Sequence, residues 1–219
     1  MPSTSRNSDP SRAAWSARAL LAGAALCCGS LANGQPPAGS ALIEALRHGG
    51  YVIVMRHAHA PDAPPFASEA DPANRNHERQ LDPAGQSAAL DMGSALRKLH
   101  LPIGAVWSSP TYRARQTVRL AGLPAARIAA QLGDGGHSMK AATSEQARWL
   151  RALANRPPRK GTDTVIVTQN PNIKAAFGKS ASAMKDGEAL VLRPGKQTPR
   201  LVGRIGIDQW PILAGSSRH

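Results

Sequence analysis

Two short stretches, 51–55 and 164–168, are nearly unbroken apolar runs rich in β-branched side chains. Runs of that kind suit strands covered on both faces, as in the middle of a parallel sheet. Between and beyond them the period changes. Ala88, Met92, Ala95, Leu96 and Leu99 recur at helical spacing behind Asp82-Pro83, a capping residue followed by proline at the first helical position, and so predict a helix over 83–99. Ser109-Pro110 repeats that signal and opens a helix to about Leu120; Asn170-Pro171 opens another. Thr143 and Gln146 have capping-box spacing before a helix that runs through Ala154. A short helix over 41–47 places Leu42, Ile43 and Leu46 on one face and stops at Gly49-Gly50. Shorter strands are expected at 105–107, 126–132, 189–192 and 201–207, the last two paired. Strands alternating with helices predict an α/β fold: a single doubly wound, mostly parallel sheet with helices on both faces, over residues 41–210, with 211–219 as a tail. The stretch 61–79, rich in Pro, Asp, Asn and Ala, is expected to be a long functional loop.

The first 32 residues follow a different logic. Arg6, Arg12 and Arg18 precede a run of Ala, Leu, Gly and Cys that ends in Ser30-Leu31-Ala32, the pattern of a cleavable secretory signal. The run is too short to span a bilayer, so no stable membrane insertion is expected once the signal is removed. Leu26 before Cys27 is unsuited to lipidation. Residues 33–40 form a linker with turn chemistry. The expected destination is the periplasm or the exterior. Both cysteines, Cys27 and Cys28, lie in the signal, so the mature chain carries no thiol chemistry.

Charge narrows the partners. The 27 Lys and Arg against 14 Asp and Glu give +13, which suits an anionic ligand, a membrane surface or nucleic acid. The bases are scattered rather than blocked, and aromatic residues make up only 4 %, too few for base-stacking platforms. No nucleic-acid partner is expected; a small phosphorylated compound or phosphate is.

In open α/β sheets, ligands bind beyond the carboxyl ends of the strands. There the order of elements delivers Arg56 and His57, then Ser108, Ser109 and Arg113, then Gln169 and Asn170. Two guanidinium forks suit the oxygens of a phosphoryl group, and an imidazole between them can attack phosphorus. Helix N-termini near Ser109 and Asn170 would turn backbone N–H groups to the same rim. His57 with His59 lacks the companions of a zinc site, so no metal is expected. His59 and His77 are taken as loop residues, Arg79 as either a rim-lining or, in preference, a solvated side chain, and Arg115 and Arg119 as outward-facing.

These residues carry a family resemblance. Residues 52–58, Val-Ile-Val-Met-Arg-His-Ala, resemble the Arg-His-Gly signature of the histidine phosphatase superfamily, with Ala58 for the usual glycine. Residues 108–117 resemble its second signature, Ser-Ser-Pro-x-x-Arg-Ala-x-x-Thr; Leu81-Asp82-x-x-Gly85 and residues 165–173 resemble two further blocks, and 187–191 a late strand. The resemblance covers residues 41–208. It implies a phosphoglycerate mutase-like fold and hydrolysis of a phosphomonoester through a phosphohistidine on His57. Arg56 and Arg113 would bind the phosphoryl group, with Ser109 and Gln169 nearby, and no cofactor would be needed. It also implies a general acid between the second arginine and the third block, for which Asp134, Glu145 and His137 are candidates, Asp134 foremost. One departure stands out: the third block usually carries a second histidine, and here it has Gln169. An amide donates but cannot become a cation. The alternative is therefore a catalytically impaired, phosphate-binding pseudophosphatase.

Overall fold

The structure is a computed structural model that describes residues 39–134 and 141–216. The expected signal 1–32, most of the expected linker, His137 and the last residues of the chain lie outside the described residues.

Six strands make one sheet in the order β3-β2-β4-β1-β5-β6. They are β1 (Val52–Arg56), β2 (Ile103–Ser108), β3 (Arg127–Ile128), β4 (Asp163–Thr168), β5 (Ala189–Arg193) and β6 (Arg200–Ile205). The first four are mutually parallel; β5 runs antiparallel to β1 and to β6. The two apolar runs thus become the neighbouring central strands β1 and β4, in register from Val52 opposite Thr164 to Arg56 opposite Thr168.

Alternation along these strands sorts the core into two layers. Ile53, Met55, Val165 and Val167 face helices α1 (Gly39–Arg47), α2 (Pro83–Lys98), α3 (Tyr112–Leu120) and α6 (Gln209–Ser216). Val52, Val54 and Ile166 face α4 (Ser144–Ala154) and α5 (Asn170–Phe177). Helices therefore cover both faces, as the pattern of the sequence predicts.

Capping chemistry holds where it was local. Asp82 accepts from the N–H of Gly85, and Thr143 with Gln146 forms a reciprocal capping box. Three expectations change. The helix expected from Ser109-Pro110 starts only at Tyr112, and its first N–H donates to Glu78 of the long loop at 2.9 Å. The strand expected over 126–132 shrinks to Arg127–Ile128, because it pairs only with β2 at the sheet edge; a single 3-10 turn, Ala130–Leu132, then swings the chain back toward the strand ends. Most of the expected tail is helix α6, pinned by the fully buried Trp210, and α1 begins at Gly39, inside the expected linker.

Gly85 explains one sequence block. A Cβ there would lie 2.1 Å from the carbonyl oxygen of His59, so only glycine lets α2 start against the loop that follows β1.

At the opposite end of the sheet from the ligand rim, Asp163 is completely buried. One oxygen accepts from the N–H of Tyr51 at 2.9 Å and the other has no partner. Burial pushes its carboxyl up to about 7, against the opposing hydrogen bond from Tyr51. Between about pH 4 and 7 the folded chain keeps a proton that the unfolded chain releases. Stability therefore falls as pH rises through that window, by up to about 1.4 kcal/mol per pH unit, and levels off above it. Asp163→Asn is expected to raise the melting temperature at pH 8 and leave it unchanged near pH 4; equal melting temperatures at pH 8 would show that the buried carboxyl carries no such cost.

Candidate active site

The rim at the carboxyl ends of β1, β2 and β4 is built from backbone outward. The N–H of His57 donates to the carbonyl of Thr168 on β4, and its own carbonyl accepts from Gly187, so the residue is clamped between β4 and the turn that leads into β5. The next N–H, of Ala58, donates to the hydroxyl of Thr117, which in turn donates to the carbonyl of Arg113. The threonine of the 108–117 block thus ties the loop after the histidine to the helix carrying the arginine. Gln116 accepts from the N–H of Leu81 and holds the entrance of α2 to the same helix.

His57 is 3 % exposed. Its Nδ1 lies 2.7 Å from the carbonyl oxygen of Ala58; a carbonyl only accepts, so Nδ1 carries the hydrogen. Nε2 is left with its lone pair, which accepts from Nε of Arg113 at 3.0 Å. Burial, with the positive charges of Arg113, Arg56 and Arg79, pushes the imidazole down to about 3, against the stabilising bond to Ala58. The ring is neutral, and the lone pair of Nε2 meets the guanidinium of Arg113.

Nε2 faces a hollow of about 60 Å³ lined by Arg56, His57, Arg79, Arg113, Asp134, Gln169, Asn170 and Pro171. The structure therefore brings together Arg56, His57, Arg113, Asp134 and Gln169. Each guanidinium also meets a carboxylate. Arg113 is hydrogen-bonded and ion-paired to Asp134, both side chains almost wholly buried. Arg56 pairs with Asp186 at 2.5 Å, and Arg79 with Asp62 at 3.1 Å. Asp134 is carried there by the 3-10 turn, whose Leu132 carbonyl accepts from the hydroxyl of Thr168 at 2.8 Å. Glu145 is exposed on the first turn of α4 and does not line the hollow.

Two expected contributors sit differently. Gln169 is buried and turned toward its neighbours. Its amide nitrogen donates to the hydroxyls of Ser109 at 2.9 Å and Thr111 at 2.8 Å. Both amide hydrogens are thereby engaged, so a phosphate oxygen finds no donor on Gln169 without breaking one of these bonds. Ser109 is fully buried behind Gln169 and does not line the hollow.

Among solved structures, the protein histidine phosphatase SixA complexed with tungstate superposes with a TM-score of 0.53, at 18 % identity, over 73 % of this chain and 98 % of that one. Phosphoserine phosphatase from Entamoeba histolytica in complex with 3-phosphoglyceric acid gives 0.50 at 14 % identity, over 70 % and 95 % of the two chains. A mutant of that enzyme in complex with phosphoserine gives 0.50 at 12 % identity, over 72 % and 97 %. No family model and no curated protein matches the chain.

The chain has the histidine phosphatase fold.

Within the histidine phosphatase fold, Arg79 takes the rim position, the less favoured of its two sequence readings. It is not a solvated side chain. Its guanidinium lines the hollow and is oriented by donating to the carbonyls of Pro61 and Ala60, at 2.5 and 2.8 Å. Burial and the neighbouring charge of Arg113 lower its pKa. The available signal was its position two residues before Leu81, where the chain must pass under the rim to start α2. His59 also has partners: its ring stands 2.9 Å from Asp82 and 3.8 Å from Asp186, the carboxylate that holds Arg56.

Proposed function

We propose that this protein is a phosphatase that hydrolyses phosphomonoesters through a phosphohistidine at Nε2 of His57. The observation that carries the reading is the state of that imidazole: neutral, locked by Nδ1 on Ala58, and facing a hollow bordered by three guanidiniums. A phosphoryl group entering between Nε2 and Arg113 would exchange an oxygen for the present Arg113–His57 bond, while Arg113 keeps Asp134. Arg56, Arg79 and Arg113 would neutralise its charge as it passes to the nitrogen. Nε2 attacks phosphorus, the bond from phosphorus to the alcohol oxygen breaks, and that oxygen takes a proton. Water then attacks the phosphohistidine, the N–P bond breaks, and the imidazole returns with release of inorganic phosphate. The tetrahedral oxyanion bound by the SixA structure is in keeping with a hollow of this kind.

Asp134 is the carboxylate of the hollow and is proposed as the proton carrier. Because Arg113 holds it as an acceptor, the proton it delivers arrives with the substrate, as the phosphomonoester monoanion. Turnover of an alkyl phosphate is accordingly expected to fall above about pH 6, where the ester loses its second proton. An aryl phosphate, whose leaving group needs less help, falls less.

The pseudophosphatase reading rests on Gln169, whose donors are spent on Ser109 and Thr111. It predicts binding of vanadate or phosphate without turnover. Gln169→His separates the two readings. Restoring a charge-assisted contact is expected to raise kcat about tenfold or more. Removing the buried amide should at the same time lower stability by about 1 kcal/mol for each lost bond. Steady-state kinetics and a melting curve on the same sample check both; an unchanged kcat shows that Gln169 does not limit the chemistry.

A further inference from the structure

The phosphoryl hollow is too small for anything beyond the phosphoryl group, and the rest of a substrate must lie elsewhere. A much larger cavity, about 500 Å³, lies between the long loop and the start of α2. One hydrogen bond links the two: the guanidinium of Arg79 lines the hollow and donates to the carbonyl of Pro61, which lines the larger cavity. This cavity is preformed by its loop. Gln80 accepts from the N–H of Asp71 and donates to the carbonyl of Glu69, the Glu78 carbonyl accepts from Asn74 and its carboxylate from the first N–H of α3, and the loop is stitched across its base. Its apolar side is made by Pro61, Pro64, Pro65 and Phe66, the last 76 % exposed. Among the described residues that line it, the charged ones are Glu69 and Asp82. In a chain with 27 Lys and Arg against 14 Asp and Glu, a cavity charged by carboxylates alone runs against composition. Both oxygens of Asp82 already serve Gly85 and His59, whereas Glu69 is exposed at the mouth.

Building on the phosphatase reading, we propose that this cavity holds the alcohol part of the phosphomonoester and selects one bearing an ammonium group on an apolar or aromatic stem. The stem lies on the prolines and Phe66, the cation meets Glu69 and the face of the ring, and the phosphoryl group reaches the guanidiniums past Arg79.

Non-hydrolysable benzylphosphonates carrying a para aminoethyl, ethyl or carboxyethyl chain test this on the intact chain. The preference is measured by titration calorimetry, in wild type and in Glu69→Lys and Phe66→Ala variants. The aminoethyl compound is expected to bind about tenfold more tightly than the carboxyethyl one. Glu69→Lys is expected to reverse that order, and Phe66→Ala to weaken the amine and ethyl compounds together. Equal affinities, no binding of any of the three, or a preference unaltered by Glu69→Lys overturns the assignment. Turnover of phenyl phosphate by the same wild-type sample reports separately on the phosphatase reading.

Discussion

Replacing His57 by alanine is expected to lower kcat toward phenyl phosphate by at least about 10³-fold, because no other described group in the hollow offers a lone pair on a neutral nitrogen. The same variant carries a second signature. The folded chain keeps its imidazole neutral down to about pH 3, whereas the unfolded chain takes up a proton near pH 6.5. Below pH 6.5 the unfolded state thus binds the extra proton, and stability falls as the pH drops. His57→Ala removes that contribution, so the variant should lose less stability than wild type between pH 6.5 and 4. In wild type, kcat/KM should show no acid limb near pH 6.5 from the nucleophile. Retained turnover in the variant would place the chemistry on another residue.

Arg113→Ala is expected to be the most damaging change to the fold among the site residues. Arg113 and Asp134 are almost wholly buried and paired, and removal of one partner leaves the other as an uncompensated charge. The cost is about 3–5 kcal/mol, or roughly 6–20 °C in melting temperature for a domain of this size. His57 loses its donor at the same time. The double variant Arg113→Ala, Asp134→Ala should recover much of the stability and none of the activity. Thermal melts of the single and double variants decide this; a single variant as stable as wild type would mean that the pair contributes nothing to the fold.

The central sheet was legible because strands covered on both faces leave unbroken apolar runs, and α2 because Asp82-Pro83 states its start within two residues. The edge strand was not. Arg127 and Ile128 have a neighbour on one side only, and nothing in their composition reports where the pairing ends. The start of α3 was misplaced for a similar reason: its cap, Glu78, lies 34 residues away in sequence. The C-terminal helix hides behind Pro211 and Gly215, and the burial of Trp210 and Ala214 fixes it.

The site divides along the same line. Arg56, His57 and Arg113 follow strand ends, so topology alone brings them to one rim. Arg79 comes from a loop without period, and its contacts with Ala60 and Pro61 are set by the folded path of that loop. Gln169 lies where expected, but residue type does not disclose which way an amide turns; here the hydroxyls of Ser109 and Thr111 claim it.

The most direct test is chemical trapping. Wild-type protein is mixed with a radiolabelled aryl phosphate, quenched into alkali during turnover, digested and mapped. The proposal predicts acid-labile, base-stable label on the peptide containing His57. Steady release of phosphate with no labelled protein, or label on any other residue, would contradict it.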